Sequence, residues 1–214
     1  FMLAEGARLI VIACNTASAA ALKALRQEYP EVPFVGMEPA VKPAAEQTHS
    51  GKVGVLATPS TFQGELYASV VERFASGVEI YQETCPGLVS QIEKGCLETP
   101  KTRQILEATL LPLMARGVDT LVMGCTHFPF VIPLIEQITE GNARVIDPAP
   151  AVARQTQRVL EEHGLLNPQP AAGTTRYYTT GDPAKFARVL PRLIGVQASV
   201  HALRWQGKDL PPIN

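Results

Sequence analysis

The chain has 214 residues, 46% of them hydrophobic and 18% charged, enough apolar material for one large or two small soluble domains. Nineteen basic residues against twenty acidic ones leave a formal charge of −1, which argues against a basic surface tracking a nucleic-acid backbone. Apolar runs such as residues 9–13 and 121–123 fall far short of the roughly 18 residues that a membrane helix needs, so no membrane partner is expected.

Taken in chain order, residues 1–5 read as the last turn of an apolar helix closed by Gly6, with no helix start before it, so an N-terminal segment is expected to be missing. The opening shows no basic leader, long apolar stretch or small-residue cleavage site, and a cytoplasmic address is expected. Residues 9–12 predict a buried strand, and the alanine- and leucine-rich residues 17–26 a helix ended by Tyr29-Pro30. Further strands are predicted at 32–37, 53–56, 78–81, 120–123, 143–146 and 176–179, with helices between them. Residues 166–175, with Asn167-Pro168 and Gly173, read as a surface loop. Strands alternating with helices are the pattern of parallel βαβ units, and the breaks at Glu38-Pro39 and Asp147-Pro148 are candidate crossings between two α/β lobes.

An internal repeat organises this pattern. Residues 3–14 (Leu3-Ala4-Glu5-Gly6-Ala7-Arg8-Leu9-Ile10-Val11-Ile12-Ala13-Cys14) align without a gap on residues 114–125, placing Gly6 on Gly117, Val11 on Val122 and Cys14 on Cys125. Each cysteine follows a strand and precedes a predicted helix start. Carboxyl ends of parallel strands are where open sheets bind ligands, and helix N-termini favour anions. A free thiol titrates near about 8.5, and a helix N-terminus lowers that value, so both thiols are expected to be tunable and a thiolate to be within reach near neutral pH.

Two thiols at equivalent strand ends suit stereoinversion, because taking a proton from one face of a carbon and delivering one to the other requires a base and an acid on opposite sides. Asn15, Thr16 and Thr126 supply donors beside them for carboxylates. A lone cysteine ordinarily serves as a small buried hydrophobe, and Cys85 and Cys96, which lack a matched context, are read that way. Four scattered cysteines do not make a disulfide scaffold. His127, two residues past Cys125, reads as a proton partner or orienter.

Ala13-Cys14-Asn15-Thr16-Ala17-Ser18 and Gly124-Cys125-Thr126-His127-Phe128-Pro129 closely resemble the two cysteine signatures of glutamate racemases in the aspartate/glutamate racemase superfamily. The resemblance continues through Val53-Gly54-Val55-Leu56-Ala57-Thr58, the segment from Cys85-Pro86 to Glu93, and Tyr178-Thr179-Thr180-Gly181-Asp182-Pro183. It implies two flavodoxin-like parallel-sheet α/β lobes related by pseudo-two-fold symmetry, with the site in the cleft between them. Residues 1–38 plus 148–214 would form the first lobe and 39–147 the second. By the same resemblance Cys14 and Cys125 are the acid/base pair, Asn15, Thr16, Thr126 and His127 bind or assist, and Glu93 pairs with His127. Thr58 and Thr61 would reach a substrate carboxylate, although both also suit helix caps. Relatives similar to aspartate racemases carry an acidic residue where His127 stands, so glutamate is the preferred substrate.

The resemblance implies chemistry without pyridoxal phosphate or metal, a role in supplying D-glutamate for peptidoglycan, and a homodimer as the conceivable assembly. One departure stands out: the family's Asp-Ser-Gly and Pro-Tyr-Gly signatures occur nowhere in the sequence. Loss of the elements that carry them would remove central strands from the first lobe and a carboxylate near Cys14, with negligible activity expected of such a piece. Two other readings remain at this level. Cys125 with His127 could form a nucleophile and base for acyl transfer, or the cleft could bind small carboxylates without catalysis.

Overall fold

The computed structural model describes residues 1–168, 173–207 and 209–211. In chain order the elements are β1 (Ile10–Val11), α1 (Asn15–Glu28), β2 (Phe34–Val35), α2 (Val41–Gln47), β3 (Lys52–Leu56), α3 (Pro59–Phe62), α4 (Glu65–Phe74) and β4 (Glu79–Glu83). There follow α5 (Leu88–Ile92), α6 (Pro100–Ala115), β5 (Thr120–Met123), a 3₁₀ turn (Phe128–Val131), α7 (Ile132–Ile138) and β6 (Arg144–Ile146). The last elements among the described residues are α8 (Ala149–Glu162), β7 (Tyr177–Thr179), α9 (Pro183–Ile194) and β8 (Val200–Ala202). No helix among the described residues is long and apolar enough to cross a membrane.

The largest sheet is four-stranded and parallel, in the order β4-β3-β5-β6. Its central strands are buried on both faces, as a parallel sheet covered by helices demands. Alternation decides which side chain goes where. Leu56, Leu121 and Met123 join Leu106, Leu110 and Leu113 of α6 and Leu134 and Ile135 of α7 in one core. Val53, Val55 and Val122 point the other way, onto Val41 and Ala44 of α2 and Tyr67 and Val70 of α4. Chain order reverses between β3 and β5, which are hydrogen-bonded neighbours with Leu56 opposite Met123, so their carboxyl ends open at a topological switch point.

The other strands form two parallel pairs, β1-β2 and β7-β8. Seven of the eight strands fall where the sequence pattern puts them, but the strand expected to be buried at 9–12 is only Ile10–Val11, with Val11 exposed. The predicted strand at 32–37 shrinks to Phe34–Val35. Pro33 cannot donate to a ladder, and the Met37 amide goes instead to the Ser18 hydroxyl at 2.9 Å. β8 went unforeseen, because three residues with His201 and Ala202 exposed carry little periodic signal. Of the predicted 166–175 loop, residues 166–168 and 173–175 have no regular structure, and 169–172 lie outside the described residues.

The internal repeat is present in the backbone as well as in the letters. Gly6 and Gly117 both adopt left-handed conformations, at φ 84° and 79°. Gly6 N–H donates to Leu3 O and Ala7 N–H to Met2 O; in the second copy Gly117 N–H donates to Met114 O and Val118 N–H to Leu113 O. Each copy thus closes a helical turn with the same pair of bonds, a Schellman motif needing a residue free of the Cβ penalty at positive φ. Both then enter a strand that ends shortly before a cysteine.

Asp119, between this turn and β5, fastens the loop between α2 and β3. Burial raises its carboxyl, but hydrogen bonds from the Thr48 hydroxyl, the Ser50 and His49 amides and the Thr120 hydroxyl outweigh that and hold it far below the usual carboxylate range. A depressed folded-state value means that the stabilisation is complete above the unfolded value of about 3.9 and is lost as pH falls through the folded value. Asp119→Asn is expected to cost on the order of 1–2 kcal/mol at neutral pH. In urea titrations the gap between variant and parent should shrink in acid; an equal gap at every pH would contradict this account.

Candidate active site

Cys14 stands three residues after β1 and is the N-cap of α1, its sulfur accepting from the Ala17 amide at 3.5 Å. The helix begins at once, at Asn15 rather than at the predicted Ala17. Cys125 stands two residues after β5, where the chain turns through Thr126 and His127 into the 3₁₀ turn, held by Phe128 N–H donating to Cys125 O at 3.0 Å. Pro129 and Pro133 interrupt this stretch, so the helix start predicted after the second cysteine is a 3₁₀ turn followed by the short α7.

Hydrogen bonds join the two cysteine segments across large sequence separations. Asn15 Nδ2 donates to Gly124 O at 2.8 Å, tying the residue after one cysteine to the residue before the other. Gly124 N–H in turn donates to Leu56 O at the end of β3. From the far side of β3 the Thr61 hydroxyl lies 3.1 Å from both the Thr16 and Thr58 hydroxyls, forming a three-threonine chain between α1 and α3. Thr58 takes the N-cap position of α3 without making a side-chain capping bond; its hydroxyl serves this chain instead. Asn15 is buried, and its Oδ1 has no partner among the described residues. An unpaired buried acceptor is costly unless a donor arrives.

The Cys125 thiol departs from the expected tuning. Burial pushes it up, the backbone N–H groups of His127 and Phe128 pull it down, and the nearby charge on Cys14 pushes it up again; the result lies above the ordinary thiol value. Desolvation beats the short helical turn here because Cys125 packs against the apolar core that includes Met123 and Phe128. His127 Nδ1 lies 3.8 Å from Cys125 Sγ, and its Nε2 lies 3.2 Å from Glu93 Oε1, so sulfur, imidazole and carboxylate form a line running from the site to the surface.

Hydrogen bonds thus tie Asn15 to Gly124 and Thr16 to Thr61 and Thr58, while Cys125, His127 and Glu93 form a second group. Among the described residues Thr126 makes no hydrogen bond to this group, but it lines a cleft of about 570 Å³ with Ala13, Met37 and Val152. Cys85 is buried in the core, its thiol pushed up to about 11 by burial and bonded to the Thr109 hydroxyl, as suits a structural residue. Cys96 donates to Lys94 O. Ser18 is a supporting residue that the motif reading passed over: buried, it donates to Ile12 O and accepts from Met37 N–H, locking α1 against β1 and β2. Among the described residues no three His, Cys, Asp or Glu side chains are gathered as a metal site.

Known proteins place this geometry. A glutamate racemase of Ectopseudomonas mendocina is 52% identical over 200 residues, spanning 94% of this chain and 76% of that protein. The crystal structure of Escherichia coli glutamate racemase, in complex with L-glutamate and the activator UDP-MurNAc-Ala, superposes with a TM-score of 0.79 at 31% identity, covering 94% of this chain and 75% of that one. Glutamate racemase of Francisella tularensis, in complex with D-glutamate, gives 0.77 at 26% identity over 94% and 74% of the two chains. Residues 2–156 match the family described as Asp/Glu/Hydantoin racemase, and with both signature cysteines set at matched strand ends of an α/β fold of that kind, the chain belongs to this racemase family.

Proposed function

We propose that this protein interconverts L- and D-glutamate by a two-base mechanism in which Cys14 and Cys125 exchange the roles of thiolate base and thiol acid. The observation that carries the reading is the pair itself: two thiols at repeat-equivalent strand ends, their segments joined by the Asn15–Gly124 hydrogen bond. One thiolate removes the α-proton, leaving a carbanion whose electron pair spreads into the adjacent carboxylate. The opposite thiol then protonates the other face, so the product leaves with the two sulfurs in exchanged protonation states.

Glu93, by accepting from His127 Nε2, leaves Nδ1 facing the Cys125 sulfur, where a neutral ring can accept the thiol proton and an imidazolium can donate to the thiolate. The orphaned Asn15 Oδ1 offers an acceptor for the substrate ammonium, and the threonine hydroxyls of residues 16, 58, 61 and 126 offer donors to its carboxylates. Relatives at about half identity and neighbours holding either enantiomer support glutamate as the substrate. The chemistry calls for no cofactor, since two thiols supply both proton transfers. The family resemblance supports a cytoplasmic role in making D-glutamate for peptidoglycan.

For the lobes, we propose residues 1–38 with 148–214 and residues 39–147. This division keeps β3 to β6 in one sheet, and α8 packs against β2.

The deciding experiment incubates each glutamate enantiomer with the protein in D₂O while optical rotation and α-deuterium are followed. Deuterium entering chiefly the inverted product is expected; absence of exchange from both enantiomers sinks the proposal. Glu93→Gln, which keeps an acceptor but removes the charge, is expected to lower kcat by about tenfold or less with little change in KM, because Glu93 is exposed and acts through His127.

A further inference from the structure

A second cleft, of about 600 Å³, lies between the segment following α5 and the exposed face of α9. Lys185, Arg188 and Arg192 line it from α9 at i, i+3 and i+7, spacing that stacks three cations on one helical face over roughly 10 Å. Lys94 lines it from the opposite wall, beside Ser90 and Glu93. In a chain with formal charge −1 this gathers four cations against one carboxylate, and Glu93 is already engaged by His127.

None of the four cations has a carboxylate within ion-pairing distance among the described residues. Asp182 lies within electrostatic reach of Lys185 and Arg188, but its carboxylate is committed to the Ala184 and Lys185 amides at the start of α9. The wall is also held in place. Arg192 donates to Lys94 O at 3.3 Å, and its side chain lies so close to Gly95 that a Cβ there would sit 2.5 Å from Arg192 Cδ; Gly95, at φ 69°, permits the approach. Cations merely spread over a solvated helix face would not be stitched to the opposite wall in this way.

We infer that this cleft is a binding site for an extended polyanion carrying several phosphate or carboxylate groups. Lys94, Lys185, Arg188 and Arg192 neutralise it, and the row on α9 sets its length. One phosphate would fill a small part of the cleft, whereas a chain of two or three anionic groups spans the row. Arginine contributes forked donors and lysine a point charge, so the site recognises charge density along a line more than a single planar group.

The test is calorimetric titration of the whole protein, at low salt and without glutamate, with inorganic tripolyphosphate in one arm and citrate in the other. Saturable binding at one site is expected in at least one arm. The arm that binds names the anion chemistry. Arg188→Glu should weaken binding at least tenfold, Lys185→Glu with Arg188→Glu should abolish it, and Lys23→Glu, on exposed α1, should leave it unchanged. Raising the salt should weaken it steeply. Circular dichroism verifies that the variants are folded. No saturable heat in either arm, or equal loss from Lys23→Glu, overturns the inference. Because binding is read without racemisation, such a failure leaves the proposed activity standing.

Discussion

Replacing Cys14 by serine is expected to lower racemisation about 10³-fold in both directions, and replacing Cys125 to do the same, since a serine hydroxyl is far too weak an acid to stand in for either thiol. The losses should nevertheless differ in kind. With one thiol removed, the survivor can still take the α-proton from the enantiomer whose hydrogen faces it and return a solvent-derived deuteron to the same face. Each variant should therefore wash deuterium into one enantiomer without inverting it, and the two variants should choose opposite enantiomers. If both exchanged the same enantiomer, a single base would be indicated. An unaffected Cys14→Ser variant would favour acyl-transfer chemistry at Cys125 and His127. Half-buried Cys125 also gives a direction to the pH dependence. Its thiol lies above the ordinary value, so its thiolate is scarcer at neutral pH than that of an unperturbed cysteine. The kcat/KM for the enantiomer that Cys125 deprotonates should fall toward acid and keep rising with pH beyond the range in which an ordinary thiol has already ionised.

Much of this site could be read before any coordinates, for a physical reason: strands and the residues just past them are locally encoded. Residues 120–123 are buried at every position, and the predicted strand coincides with β5. The repeat found the two cysteines because the left-handed turn at Gly6 and Gly117 demands the same residue in both copies. The His127–Glu93 contact came from family resemblance, spanning 34 residues that no local pattern connects. What stayed hidden depends on packing between distant segments. Desolvation of Cys125 comes from side chains throughout one core, so a rule about helix N-termini gave the wrong sign. The bond from Asn15 to Gly124 O crosses 109 residues and satisfies a backbone group, which has no letter of its own in the sequence. The threonines could be read as caps or as ligands; their mutual hydrogen bonds draw them away from capping.

Gly124→Ala is expected to do more damage than its single methyl suggests. A Cβ at Gly124 would sit 2.9 Å from Ala57 Cβ and 3.0 Å from Leu56 O. One neighbour is backbone at the end of β3 and the other a short side chain next to it, so no flexible group can swing aside. The strand must move instead, and strain of this kind costs about 1–3 kcal/mol. At roughly 2–4 °C per kcal/mol for a chain of this size, melting should fall by several degrees. The functional cost follows from position. Gly124 O accepts from Asn15, and Cys125 is the next residue, so displacing the strand end moves one sulfur and loosens its tie to the segment bearing the other. Two-base inversion requires the α-carbon to lie between the sulfurs, and a displacement near 1 Å can cost about 10²-fold in rate. Gly173→Ala, with no heavy atom within 4 Å of the added carbon, is the matched control and should leave both melting and turnover unchanged. A Gly124→Ala protein with parental kcat and melting temperature would show that the β3–β5 strand ends yield freely, and the rigid placement of Cys125 argued here would have to be abandoned.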